Sequence, residues 1–164
     1  MSAEKKRQMG VMGLVIALVV VLMGSVLFVG ATAGWFDDPK VVLGAEYDCE
    51  EDCEFVELTA EGYEDLIERK ASFVVMIDQG GCTTADRLRE YALRYAEETG
   101  KRMYRMMFAD VKETTLHEVV KYYPSMAIIS QGKVVGYLRA DSDEDAEVYN
   151  NYEEFRGWME RWVR

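Results

Sequence analysis

Basic side chains are scarce in this chain. Lysine and arginine number 19 against 30 aspartates and glutamates, a net charge of −11. The first seven residues hold Lys5, Lys6 and Arg7 against Glu4, so the remainder carries −13. Such a surface repels phosphate, which argues against nucleic acid and against a soluble face lying on anionic lipid. Histidine occurs once, at His117. A metal site or a Cys–His pair would need it to meet Cys82, and nothing in the spacing demands that. His117 therefore reads as a partly exposed helix residue, and neither a metal nor a cofactor is expected. Cysteine occurs three times, at 49, 53 and 82. At most one intramolecular disulfide can form, and a thiol is left over. Internal repeats and low-complexity segments are absent.

Charge is missing altogether from residues 8 to 36. Gly10 to Ala33 is almost wholly apolar, and about twenty such residues cross a bilayer as a helix. Lys5, Lys6 and Arg7 precede the run, while Asp37 and Asp38 follow it. The positive-inside bias puts the N-terminus in the cytoplasm and everything after Trp35 outside it. A cleaved signal peptide is the competing reading, since Ala31-Thr32-Ala33 fits a cleavage site before Gly34. The apolar run is longer than the roughly 7–15 residues of a signal-peptide core, which favours an uncleaved anchor. No cysteine lies near the end of the run, so lipid anchoring is not expected. The expected layout is a cytoplasmic tail over 1–9, a transmembrane signal anchor over 10–33, an acidic linker over 34–53 and a domain over 54–164. The expected location is the cell membrane, single-pass, with the domain extracytoplasmic.

The linker is densest in acid at Asp48-Cys49-Glu50-Glu51-Asp52-Cys53-Glu54. Cysteines four apart can bridge across a helix or turn but not along a strand, where their Cα atoms lie about 13 Å apart. The alternatives are a structural disulfide, two idle thiols, a small redox pair or half of a metal site. Like-charge repulsion from the neighbouring carboxylates opposes thiolate chemistry here.

The chain is organised around Ala71 to Ala85. Phe73-Val74-Val75-Met76-Ile77 reads as a strand buried on both faces. Gly80 and Gly81 break it, Cys82 follows, and from Thr83 the spacing turns helical through Leu88, Tyr91, Ala92, Tyr95 and Ala96. A cysteine at a strand-to-helix turn meets free N–H groups and a helix dipole that favour a thiolate. Around this, a strand is predicted over Phe55–Leu58 and a helix from the Thr59 cap to Lys70. Strands follow over Ser72–Asp78 and Arg102–Asp110, with the helix Thr83–Thr99 between them and Gly100 as its stop. A helix over Thr115–Tyr122 ends before Pro124. A hairpin joins Ser125–Ser130 to Lys133–Leu138 across Gln131-Gly132, and Asn151 with Glu154 opens the last helix. The order β-α-β-α-β-α-β-β-α predicts an α/β domain, a central mixed sheet flanked by helices.

This order, with a cysteine after the second strand, Tyr123-Pro124 entering the fourth and Gly132 in the hairpin eight residues later, resembles thioredoxin. The likeness covers roughly residues 54 to 164. The whole architecture also resembles membrane-anchored thioredoxin-like proteins of bacteria. The resemblance implies a cis Pro124 lying against Cys82, with Tyr123 and Pro124 as substrate-binding positions. It also marks departures. The family's Trp-Cys-x-x-Cys is here Gly81-Cys82-Thr83-Thr84-Ala85, so the attacking cysteine is kept and the resolving position is lost at Ala85. The family's buried acid, six residues before the first cysteine, is here Met76. Asp78 is the nearest acid and need not point the same way.

Two functions are compatible with these residues. In one, Cys82 is the catalytic residue of monothiol thiol–disulfide exchange with protein thiols or disulfides outside the cytoplasm, aided by Arg87 or Arg89 and opposed by Asp78 and Asp86. In the other, the domain is a redox-inactive interaction module that binds an envelope protein or peptide around Tyr123-Pro124. The loop Asp141-Ser142-Asp143-Glu144-Asp145 resembles a calcium loop, but Ala146 and Tyr152 stand where an EF-hand needs glycine and glutamate, so it reads as solvated.

Overall fold

The computed structural model describes residues 40–50 and 53–164. The expected tail over 1–9, the expected anchor over 10–33 and residues 34–39 lie outside the described residues. Among the described residues no helix is long and apolar enough to cross a membrane.

Among the described residues, a 3-10 turn at Ala45–Tyr47 is followed by five strands and five α-helices: β1 Val56–Glu57, α1 Ala60–Glu68, β2 Phe73–Asp78, α2 Thr83–Thr99, β3 Tyr104–Met107, α3 Phe108–Val111, α4 Leu116–Val119, β4 Ser125–Ser130, β5 Lys133–Tyr137 and α5 Tyr152–Trp162. The strands lie in the order β1-β3-β2-β4-β5. Pairing is parallel for β1 with β3 and β3 with β2, and antiparallel for β2 with β4 and β4 with β5. The sheet is therefore mixed, as its order in sequence predicts. β2 sits at its centre, and all six of its residues are buried. Each fully buried large apolar side chain of this kind contributes about 1.5–3 kcal/mol, which is why the run Phe73–Ile77 dictates the centre of the fold.

Alternation along β2 sends Phe73, Val75 and Ile77 to one face, and Val74, Met76 and Asp78 to the other. On the first face α1 packs through Tyr63, edge-on to Phe73, which meets Tyr104 in turn. On the second lie α2 and α5, joined by Tyr91 and Tyr95 against Phe155. Helix ends follow local chemistry. The Thr59 hydroxyl accepts from the Gly62 N–H at 3.1 Å, and the Asn151 side chain accepts from the Glu153 N–H at 2.9 Å. Thus Asn151 caps α5 as expected.

Three expectations need correction. The third strand stops at Met107, and α3 begins at once. Met107 pairs with Asp78, the last residue of β2, so beyond it there is no neighbouring strand to continue the ladder. The helix expected over Thr115–Tyr122 is only Leu116–Val119, because Val120 is extended and fully buried. The largest correction concerns 34–53. From Lys40 onward this segment is part of the domain rather than a linker. Val41, Leu43, Tyr47 and Cys53 are buried in the core. The Val41 N–H donates to Trp162 O at 2.6 Å, and the Arg164 N–H donates to Val41 O at 3.0 Å. Further on, the Arg102 N–H donates to Tyr47 O at 2.6 Å. Apolar residues spaced among the acids dock the segment, while Glu46, Asp48 and Glu50 are exposed.

Candidate functional site

Cys82 is the N-cap residue of α2, with extended backbone (φ −112°, ψ 123°). The Asp86 N–H donates to the Cys82 carbonyl at 3.0 Å, closing the first helical turn. No side chain caps this end. The Thr83, Thr84 and Ala85 N–H groups precede that first bond, and a 17-residue helix directs the positive end of its dipole toward the cysteine. Cys82 is half-buried and is the chain's one free cysteine. Ala85, one turn on, is fully buried, so the lost resolving position points into the core with no group that can react.

The charges beside this turn are paired. Asp78 is only 2% exposed, and its Oδ2 accepts from Arg89 Nη2 at 2.8 Å and Nε at 3.2 Å. Arg105 Nη1 approaches the same oxygen at 3.6 Å, while its Nη2 meets Glu57 at 2.6 Å. Asp78 Oδ1 has no hydrogen-bond partner among the described residues. Arg89 Nη1 also donates to Asp86 Oδ1 at 2.9 Å. These bonds, led by that to Asp78, hold the Arg89 guanidinium above its usual range. Arg87 is held elsewhere: its Nη1 donates to Asn150 Oδ1 and, at 3.4 Å, to Tyr149 O. Asp78 shares its strand face with Met76 two residues earlier. The sequence signal for that was the period of two in β2.

Pro124 reaches the site through strand register. Ile77 pairs with Ser125, so Pro124 lies across from Asp78, four residues before Cys82. The Tyr123–Pro124 peptide bond is cis, as the resemblance implies. Three hydrogen bonds fix this loop. Tyr149 Oη donates to Pro124 O at 2.9 Å, the Ser125 hydroxyl donates to Leu138 O at 2.6 Å, and Tyr123 Oη donates to Val120 O at 2.9 Å. His117 Nδ1 lies 2.9 Å from Tyr123 Oη. The phenol's one proton goes to Val120 O, so the imidazole N–H donates to the phenol oxygen. His117 is half-buried on α4 and serves Tyr123; its bond is not to Cys82. The Tyr123 ring lies against Phe108, centroids 5.3 Å apart, and Tyr122 beside it is 57% exposed. Neither Tyr149 nor His117 was singled out for this loop from sequence, because their partners are 25 and 6 residues away with no periodic relation.

Cys49 and Cys53 form a disulfide, Cα atoms 5.5 Å apart. The Cys49 N–H donates to Gly100 O at 2.9 Å, which puts the bridge at the C-terminal end of α2. Cys82 opens the same helix, and 17 residues at about 1.5 Å each separate the two by about 25 Å. The pair therefore cannot resolve a mixed disulfide on Cys82 within the chain.

A cavity of about 200 Å³ lined by Thr84, Ala140, Ala146, Tyr149 and Asn150 opens at the first turn of α2. A larger groove of about 500 Å³ runs along β5 by Val135 and Trp162 and contains neither Cys82 nor Pro124. The acidic loop folds back on itself: Arg139 pairs with Glu144 at 2.6 Å and Asp145 at 3.2 Å.

No protein-family model matches the chain, and no curated protein matches it. Solved structures do. The oxidised thioredoxin of Plasmodium falciparum superposes with a TM-score of 0.50 at 13% identity, covering 68% of this chain and all (100%) of that one. A reduced Schistosoma mansoni thioredoxin gives a TM-score of 0.48 at 11% identity, over 76% of this chain and 100% of that one. A mutant thioredoxin from Halobacterium salinarum gives 0.47 at 17%, over 68% and 93%. The first of these, with the strand order and helix placement above, shows the class: this domain has the thioredoxin fold.

Proposed function

We propose that this protein is a membrane-anchored thioredoxin-fold protein that exchanges disulfides through Cys82 alone. One observation carries the reading: the chain's one free cysteine caps a 17-residue helix at the end of the central strand, with Pro124 across from that strand end. The step balances without an outside oxidant. The Cys82 thiolate attacks one sulfur of a partner disulfide, and a new S–S bond forms as the old one breaks. The second partner sulfur leaves as a thiolate and takes a proton; Cys82 is oxidised as that sulfur is reduced. Ala85 offers no thiolate to attack the mixed disulfide from within the chain, so completing the exchange waits for an outside thiol.

Incubation with oxidised glutathione, read by intact mass, tests this. Wild type should gain one glutathionyl group and Cys82→Ser none. Ala85→Cys places a thiol three residues on, at the roughly 5–6 Å Cβ spacing of helical neighbours, and should convert a persistent adduct into turnover. No adduct on the folded wild type would sink the reading.

Residues 10–33 are proposed as the anchor, with the domain outside the cytoplasm, on the strength of the uncharged run and its basic flank. Protease added to intact cells, or to spheroplasts where an outer membrane is present, should remove the domain; digestion only after lysis would reverse the topology. A mature N-terminus at Gly34 would replace the anchor with a secreted form.

The fully buried Ala85 favours a second reading, in which the domain only binds a protein or peptide at the surface of Tyr122, Tyr123 and Pro124. Under that reading Cys82→Ser leaves partner capture intact.

A further inference from the structure

We infer that Arg89 is a positioning residue that keeps the Cys82 sulfur reactive by neutralising both carboxylates flanking it in the chain. The inference rests on the exchange reading above. Asp78 stands four residues before Cys82 at the end of β2, and Asp86 four residues after it in the first turn of α2. A single guanidinium bonds both, at 2.8 and 2.9 Å. The turn that carries the cysteine is thereby closed by an ionic clasp across its two stems. Without Arg89, Asp86 would lose its partner and Asp78 would keep only the more distant Arg105, at 3.6 Å, so negative charge would oppose the thiolate that the helix terminus favours. The remaining charged or titratable groups about the turn have other engagements. Arg87 of α2 is held by Asn150 and Tyr149 O, Arg105 of β3 is shared between Asp78 and Glu57, and the Tyr123 and Tyr149 phenols are each bonded to a carbonyl.

Asp78 and Asp86 are unequal partners. Asp78 is buried and pairs with Arg89 over the core, whereas the Asp86 side chain is 62% exposed. Arg89→Met therefore loads folding as well as reactivity, and Asp86→Asn, at an exposed side chain, loads folding far less. The two substitutions move the charge near the sulfur in opposite directions. A merely structural Arg89 predicts no such opposition.

The experiment is the rate of iodoacetamide alkylation of the folded chain against pH and salt. Arg89→Met should slow alkylation at neutral pH about fivefold and move the half-maximal rate to higher pH. Arg89→Lys should restore most of the rate. Asp86→Asn should speed alkylation about twofold and move the half-maximal rate to lower pH; both effects should shrink between about 0.01 and 1 M salt. If Arg89→Met fails to fold, Arg89→Gln, whose amide can still bond Asp78, is read in its place and decides the matter. An unchanged profile in the folded variants overturns the role of Arg89. The glutathionyl adduct is scored in parallel on the same samples, which separates the two readings. An adduct with an unresponsive pH profile sinks Arg89 only, whereas a responsive profile with no adduct sinks the exchange step only.

Discussion

The two ends of α2 each hold sulfur, under opposite conditions. At the N-terminal end Cys82 is free and half-exposed, beside carboxylates already claimed by arginines. At the C-terminal end Cys49 is locked to Cys53 and hydrogen-bonded to Gly100 O. Of the described acids around that bridge, Glu50 and Glu54 are exposed and Asp48 pairs with Lys101. The helix itself makes the difference. Its N-terminus presents unpaired N–H groups that favour a sulfur anion, and its C-terminus presents carbonyls that do not. Sulfur placed at the first end is suited to chemistry, and at the second to holding the Lys40–Glu50 arm against the domain.

The largest effect expected from breaking this contrast is on reactivity. In the native, non-reduced protein a thiol reagent should label one site per chain, and Cys82→Ser should abolish that labelling entirely. Cys49→Ser with Cys53→Ser should leave the Cys82 rate within about twofold, because a change about 25 Å away is screened. A large change in the Cys82 rate would mean that the two ends communicate.

On stability the order reverses. Closing a five-residue loop is worth about 2 kcal/mol in the chain-entropy account, so the Cys49/Cys53 double mutant should lower the denaturation midpoint with little change in slope. Cys82→Ser, at a half-exposed cap, should cost less than about 0.5 kcal/mol.

Glycines flank both ends of α2 with positive φ, Gly81 at 75° and Gly100 at 64°. Alanine at either pays the left-handed penalty of about 1–2 kcal/mol. At Gly100 a Cβ would also press on Cys49 O at 3.3 Å, whereas at Gly81 nothing lies within 4 Å. Gly100→Ala should therefore be the more destabilising of the two, and equal losses would show that the bridge end yields freely.

The smallest effect is a pH dependence shared by both ends. Burial raises the phenols of Tyr47, near the bridge, and of Tyr149, on Pro124 O, above their ordinary value. It pushes Tyr63 on α1 up to about 12 from 10.0. A phenol that ionises less readily folded than unfolded lends stability that is complete below pH about 10 and drains away as pH climbs through the folded value. Denaturation midpoints should hold steady to about pH 10 and fall above it, and Tyr63→Phe should make the fall shallower.

Much of this was legible in the residues. The run Phe73–Ile77, the cap Thr59, the stop Gly100 and the turn Gln131-Gly132 are local signals, each decided by a few neighbouring side chains. They fixed β2, both ends of α2 and the hairpin, and with them Cys82 at the end of the central strand. Other features depended on partners distant in sequence. Residues 40–50 looked like linker because Asp37, Asp38 and Pro39 precede them and the acidic run from Asp48 follows, yet Val41, Leu43 and Tyr47 are buried in the core. Charge density is read locally, but burial is decided by what arrives across the fold. Likewise the third strand's end at Met107 was set by where β2 stops beside it, not by its own residues. Local signals along the chain specify a cysteine with no resolving partner on an α/β frame. Only the tertiary structure gave Asp78 and Asp86 the same arginine and set the disulfide a helix length away from Cys82, because a hydrogen bond at 2.8 Å or a separation of about 25 Å is a property of packed elements rather than of spacing along the chain.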